Sequence, residues 1–265
     1  MMGMNISIYG VRTRVINTGD DPIEIILSSL PIEPDEGDVL VIATKPLLVA
    51  YSKHMSINNI TSTSRVAKVL SEKYTIDPSI AELITRYSSK IYGGVKGFIL
   101  TNVGGIILPN AGIDHKNIRR GSCSLPYTML QNVAKEFYYA ILRRYGVRVG
   151  VVISDSTLFP LKKGTRAIAV YTYGFIPIKK YVGRRDLFGK DIKYTYLNIA
   201  DEIASAAHLV MGEGDEATPA ALVRGVEIEL YEDDTTDMMK LNENECIYTE
   251  LLSRYLGTKN FISDI

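Results

Sequence analysis

The sequence predicts a mixed α+β fold, and three observations carry that expectation. Apolar residues recur at helical spacing in some stretches and at strand spacing in others, so both kinds of element are present. The two kinds follow one another without the regular alternation of a doubly wound parallel sheet. Of the 265 residues, 46% are hydrophobic, enough to bury a sizeable core. That core serves one unit over 1–265 or two intimately packed subdomains.

Taken in order, residues 5–9 alternate into a short strand, 21–30 have helical periodicity after an acidic start, and 38–43 (DVLVIA) read as a buried strand. Residues 64–73 and 78–88 suit amphipathic helices. Residues 97–101 and 106–108 bracket Gly104-Gly105 as a hairpin. A helix over 130–145 ends in Arg143, Arg144 and Gly146, the composition of a C-terminal turn and cap. The apolar run 148–154 predicts a buried strand that delivers Asp155 at its end, and 167–173 and 192–197 predict two more. A helix over 199–211 has a small-residue face of Ala200, Ala204 and Ala207, a strand follows over 219–224, and the acidic stretch 227–237 sets off a last helix over 243–255.

Thirty basic residues balance thirty acidic ones, so no global field draws nucleic acid or an anionic membrane surface, and an anionic ligand must be met locally. The two cysteines, Cys123 and Cys246, lie far apart without metal spacing, which argues against a disulfide framework or a structural zinc and fits a reducing cytoplasm. No run approaches the roughly twenty apolar residues of a membrane span, and no signal-peptide pattern opens the chain.

Three acidic positions sit where chain geometry places functional groups. In Asn110-Ala-Gly-Ile-Asp114, a tight turn at Asn110 and Gly112 leaves Asp114 and Asn117 on one face of a loop. There they act either as a hard-cation ligand and a phosphate or base contact, or as an Asx turn or helix cap. Asp155, followed by Ser156 and Thr157, reads as a strand-end magnesium site or as a turn residue. In Met211-Gly-Glu213-Gly-Asp215-Glu216, glycines allow close approach of a phosphate, or simply cap a helix; no lysine follows, so this is not a Walker A loop. Arg12, Thr13 and Arg14 offer an anion site, and Thr44-Lys45 follow a buried strand where phosphate loops lie. The basic runs 161–166 and 179–190 hold an anion or are solvated loops. His54, His115 and His208 share no metal spacing and suit packing roles, and Ser122 and Cys123 lack a nucleophile context.

Seven segments in register, namely Thr18-Gly-Asp-Asp21, Asp38-Val-Leu-Val-Ile, Asn110-Ala-Gly-Ile-Asp114, Val149-Gly-Val-Val-Ile-Ser-Asp155, Gly183-Arg-Arg-Asp-Leu-Phe-Gly189, Ala200-Asp-Glu202 and the stretch from Met211-Gly-Glu213 through Val223-Arg224-Gly225, resemble the coenzyme F420:L-glutamate ligase family. The resemblance implies a mixed α+β fold in an intertwined homodimer. It implies GTP, L-glutamate and F420-0 or a related acceptor as reactants, Mg2+ or Mn2+ as cofactor, and K+ as a further ion. It aligns Asp114, Asp155, Ser156 and Glu213 with metal ligands, Asp114 and Asp155 with catalysis, and Arg12, Thr13, Arg14, Thr44, Lys45, Asn117, Gly212, Gly214 and Asp215 with nucleotide contacts.

The chain departs from that pattern at Val49 and Tyr51, where a lysine and an acidic residue are expected, at Leu158-Phe159 in place of Gly-Arg, and after Gly121-Ser122, which lacks an Asp-Pro-Asp run. Lys45, Lys53 or Lys162 would have to compensate for the lost positive charge. The expected activity is amide-bond formation between glutamate and an acceptor carboxylate through an acyl phosphate. The alternatives are a nucleotide- or deazaflavin-binding protein that kept the scaffold without turnover, and a structural subunit.

Overall fold

The computed structural model describes residues 5–115, 118 and 120–249. Its centre is a six-stranded sheet of β1 (Ser7–Val11), β2 (Val39–Ala43), β8 (Gly150–Leu158), β9 (Thr165–Phe175), β12 (Ala220–Arg224) and β13 (Leu230–Asp234), in the order β1-β12-β2-β8-β9-β13. Neighbours run antiparallel except β2 and β8, which are parallel in the register Val39↔Gly150 to Ala43↔Ser154.

Side chains alternate across these strands, and each face buries a different set of helices. On one face Leu40, Ile42, Val151 and Ile153 join Ile26 and Leu27 of α1 (Pro22–Ser28), Leu47 and Leu48 of α2 (Thr44–Ala50), and Phe137 and Ile141 of α5 (Val133–Tyr145). On the other, Val39, Val41, Val152, Ala221 and Val223 pack on α6 (Ile199–Met211) through Ala200, Ile203, Ala204 and Ala207. The small-residue face anticipated there is the one that meets the sheet.

The connection between the parallel strands carries most of the remaining elements. It holds β3 (His54–Ser56) paired with β7 (Ser122–Ser124), the helix pair α3 (Arg65–Tyr74) and α4 (Pro78–Tyr87), and a three-stranded sheet of β4 (Lys90–Val95), β5 (Phe98–Val103) and β6 (Ile106–Pro109). Asp21, Ser64, Asp77 and Asn198 cap α1, α3, α4 and α6 by accepting backbone N–H bonds, and Gly146 ends α5 at φ 74°. An antiparallel pair, β10 (Ile178–Lys180) with β11 (Tyr196–Asn198), completes the set.

Several expectations shift. The strand expected to end before Asp155 continues to Leu158, because β8 and β9 keep pairing past a bulge after Ile153, so Asp155 lies inside a strand. Thr44 and Lys45 are the first residues of α2, not a loop. The strand predicted over 192–197 shortens to Tyr196–Asn198, and the acidic stretch 227–237 contains β13, an edge strand. Of the last helix predicted over 243–255, residues 243–245 form a turn and 247–249 are helical, and 250–255 lie outside the described residues. Among the described residues, no helix is long and apolar enough to cross a membrane.

Candidate active site

The parallel pairing of β2 with β8 brings two distant stretches of sequence to one edge of the sheet. Ala43 stands beside Ser154, so Thr44 and Lys45 beyond the end of β2 meet Asp155 and Ser156. The neighbouring strands deliver more loops there: Ala43 N donates to Pro219 O at 2.9 Å, and Thr13 N donates to Ala217 O at 2.9 Å. Helix α6 also ends here, at Gly212, whose φ of 74° suits glycine. The carboxyl ends of parallel strands are where sheets of this kind hold ligands.

These loops enclose a cleft of about 410 Å³ lined by Thr13, Arg14, Thr44, Lys45, Val49, Asp155, Ser156, His208 and residues 212–219. Asp155 is half-buried on its floor. Its carboxylate accepts from Ser156 N at 2.9 Å and from the Thr44 hydroxyl. Removal from water outweighs these bonds and the attraction of Lys45, and with the negative charge of Asp114 it raises the Asp155 pKa to about 6.

Asp114 reaches the site from the three-stranded sheet. Its turn is strained, with Asn110, Ala111 and Gly112 all at positive φ (51°, 56° and 70°). The turn is held by Ile99 N donating to Asn110 Oδ1 at 2.8 Å and Ala111 N donating to Thr101 Oγ1 at 3.1 Å. A Cβ placed on Gly112 would stand 3.6 Å from Asp155 Oδ2, so the turn lies directly over that carboxylate. From there Asp114 Oδ2 accepts from Lys45 Nζ at 2.6 Å, and Asp114 Oδ1 accepts from His115 N.

The glycine loop is polar but differently engaged. Glu213 Oε1 accepts from Thr165 Oγ1 at 3.0 Å and lies 2.9 Å from His208 Nε2. Glu216 folds back on the loop, where Gly214 N donates to its Oε2 at 2.8 Å, and backbone N–H groups hold its pKa below the usual range. His208 and Thr165 were not singled out as site residues by sequence reasoning; the histidine, expected to pack, faces the cleft, and Thr165 meets it through Glu213. The Glu213 spacing five residues after His208 on one helix end was the signal available.

Other candidates separate. Arg12 is exposed and does not line the cleft. Arg14 lines it while binding Asp20 at 2.6 and 2.9 Å, which holds that carboxyl at about 2. Asn117 lies outside the described residues. Lys53 and Lys162 are not among the cleft residues, and residues 161–164 are a solvated loop. Phe159 packs under the Arg166 guanidinium, 5.4 Å away. Cys123 is buried, which pushes its thiol up to about 11 and away from a nucleophilic role.

Among the described residues, no three His, Cys, Asp or Glu side chains gather to enclose a cation. The donors nevertheless fit a hard divalent ion: the Asp155 carboxylate feels the charge of Asp114, which stands behind Lys45 and is not itself a cleft-lining residue, the Thr44 hydroxyl bonds Asp155, and Ser156 lines the same cleft. Magnesium or manganese that shares phosphate oxygens needs only one or two protein carboxylates and keeps several waters. Glu213, bound to Thr165 and His208, would have to release them to join.

Comparison with known proteins identifies the family. A family model described as F420-0:Gamma-glutamyl ligase matches residues 10–225. Proteins named coenzyme F420:L-glutamate ligase are similar to the chain: that of Methanopyrus kandleri is 36% identical over 82% of this chain and 85% of the relative. That of Methanocaldococcus jannaschii is 31% identical over 91% and 96%, and that of Methanothermobacter thermautotrophicus 33% over 84% and 90%. With a cleft built from the segments that the family model spans, this chain belongs to the F420-0:gamma-glutamyl ligase family and is a ligase.

Proposed function

We propose that the chain joins L-glutamate to the carboxylate of F420-0 or a related acceptor, using GTP and Mg2+ or Mn2+, through an acyl phosphate. Family membership supports the reaction, and one observation carries its location: the water-poor Asp155 carboxylate in the cleft, beside Lys45, whose ammonium also binds Asp114. An acceptor carboxylate oxygen attacks the γ-phosphorus, forming one O–P bond as the bond to the GDP oxygen breaks. The glutamate amine then attacks the acyl carbon, and phosphate and an amine proton leave.

In that scheme Asp114, Asp155 and Ser156, with Glu213 once released, would hold the cation. When bound, the cation supplies charge neutralisation to the transferring phosphoryl group. Lys45 and Arg14 meet the phosphates, and the loop 212–216 with Thr13 and Thr44 borders them. Catalysis comes chiefly from positioning and fixed charge, with no covalent enzyme intermediate.

We also place the working enzyme in the cytoplasm as a homodimer of chains acting as single units. Leu187 and Phe188, fully or nearly fully exposed between β10 and β11, are apolar surface that a second copy would cover. Light scattering at micromolar concentration reads this directly: a dimer mass supports it and a monomer mass refutes it.

The test of function supplies GTP, Mn2+, glutamate and F420-0, with and without K+, and follows phosphate release together with a product heavier by one glutamyl residue. Coupled release and mass gain are expected. A second reading, a binding protein without turnover, is favoured by Val49 in the cleft wall where the resemblance expects a lysine; nucleotide binding with no phosphate release would select it.

A further inference from the structure

Lys45 occupies an unusual place among the charges of the cleft. It enters from the first turn of α2, its side chain is one-quarter exposed, and its Nζ lies 2.6 Å from Asp114 Oδ2. The same ammonium is close enough to Asp155 to stabilise that carboxylate's charge. The partners are 69 residues apart in sequence, so the pair is set by the tertiary fold and not by a local turn. Asp114 is further engaged by His115 N, which fixes the carboxylate on the side facing Lys45.

We propose that Lys45 is an internal counter-ion that holds the two carboxylates in the ligand-free protein and yields its place to the divalent cation only when nucleotide phosphates draw it away. This rests on the metal and nucleotide reading above and adds to it an order of events: nucleotide binding prepares the cation site. An ammonium and a divalent cation held at hydrogen-bond distance on one carboxylate pair repel each other strongly in a water-poor cleft. A lysine ammonium on a flexible stem, unlike a fixed guanidinium, is suited to exchanging one anion for another. Lys45 is in this sense a positioning residue for the carboxylates as well as a phosphate contact.

The experiment measures Mn2+ binding by electron paramagnetic resonance at pH 8, without nucleotide and with GTP. It uses the wild type, Lys45→Met and Lys45→Arg, each checked for an unchanged circular dichroism spectrum. Lys45→Met should bind Mn2+ alone about tenfold tighter than the wild type. Lys45→Arg should stay as weak as the wild type, and GTP should tighten Mn2+ binding far more in the wild type than in Lys45→Met. If Lys45→Met binds Mn2+ alone no tighter than the wild type while GTP still promotes binding in both, the counter-ion role is overturned and the cation site stands. If no protein binds Mn2+ even with GTP, the cation site itself fails and the proposal with it. Should Lys45→Met not fold, Lys45→Gln serves, with the same criteria.

Discussion

Two aspartates at opposite ends of the central strand pair have opposite fates. Asp38, just before β2, is 2% exposed and fully answered: Arg224 Nε donates to it at 3.0 and 3.1 Å, Arg224 Nη2 at 2.7 Å and Asp35 N at 2.9 Å. Asp155, inside β8 at the other end, receives only a neighbouring amide, a hydroxyl and a shared ammonium, and its charge is disfavoured. The sheet neutralises a carboxylate where it needs a clamp between loops, and leaves one under-neutralised where a cation and phosphates are to come.

The contrast can be broken most severely by Asp155→Asn. Turnover should fall about a thousandfold, since a carboxylate that would hold the cation at the reacting phosphate is removed. Steady-state phosphate release measures it, and near-normal turnover would remove Asp155 from the site. The same variant should be the more stable one without ligands.

The second effect follows from sign. Because the folded-state pKa of Asp155 is raised to about 6, its protonated form favours folding. That contribution is fully present below the unfolded value near 3.8 and is lost as pH rises through 6. Asp155→Asn should therefore match the wild type near pH 4 and exceed it by about 3 kcal/mol near pH 7. Urea unfolding across that range reads the difference, and a constant offset would contradict the origin assigned to the shift.

Asp38→Asn should do the reverse. It loses about 2–3 kcal/mol of stability through its broken bonds with Arg224 while kcat is retained. Denaturation together with kinetics separates the two, and a kcat defect at constant structure would blur the division between the ends. The smallest effect is sought at the cleft wall: Val49→Lys should tighten GTP about fivefold by adding a phosphate contact. Isothermal titration checks this, and unchanged affinity would mean that the missing lysine is compensated by Lys45 or Arg14.

What the sequence made legible follows the same division. Strand β2 and helices α5 and α6 have long, uniform apolar patterns, so their existence could be read directly. Strand β13, Leu-Tyr-Glu-Asp-Asp, could not, because an edge strand bonded to β9 through its backbone needs no alternation. The three-residue strands β3 and β7 are too short for any period. Asp114, Asp155 and Glu213 were visible as motifs beside glycines and an apolar strand. Their relation was not: Lys45 nears Asp155 because β2 and β8 pair, and meets Asp114 because the turn after β6 folds back against Asp155. Glu213 turning to His208 and Thr165 likewise depends on where α6 ends against β9.

The most direct test of the central claim is mass spectrometry of F420-0 incubated with the wild type, GTP, Mn2+ and glutamate, with phosphate counted in parallel. The ligase reading predicts one phosphate released for each glutamyl residue added, and neither with Asp155→Asn. Phosphate release without a heavier product, or a heavier product without GTP, would contradict it.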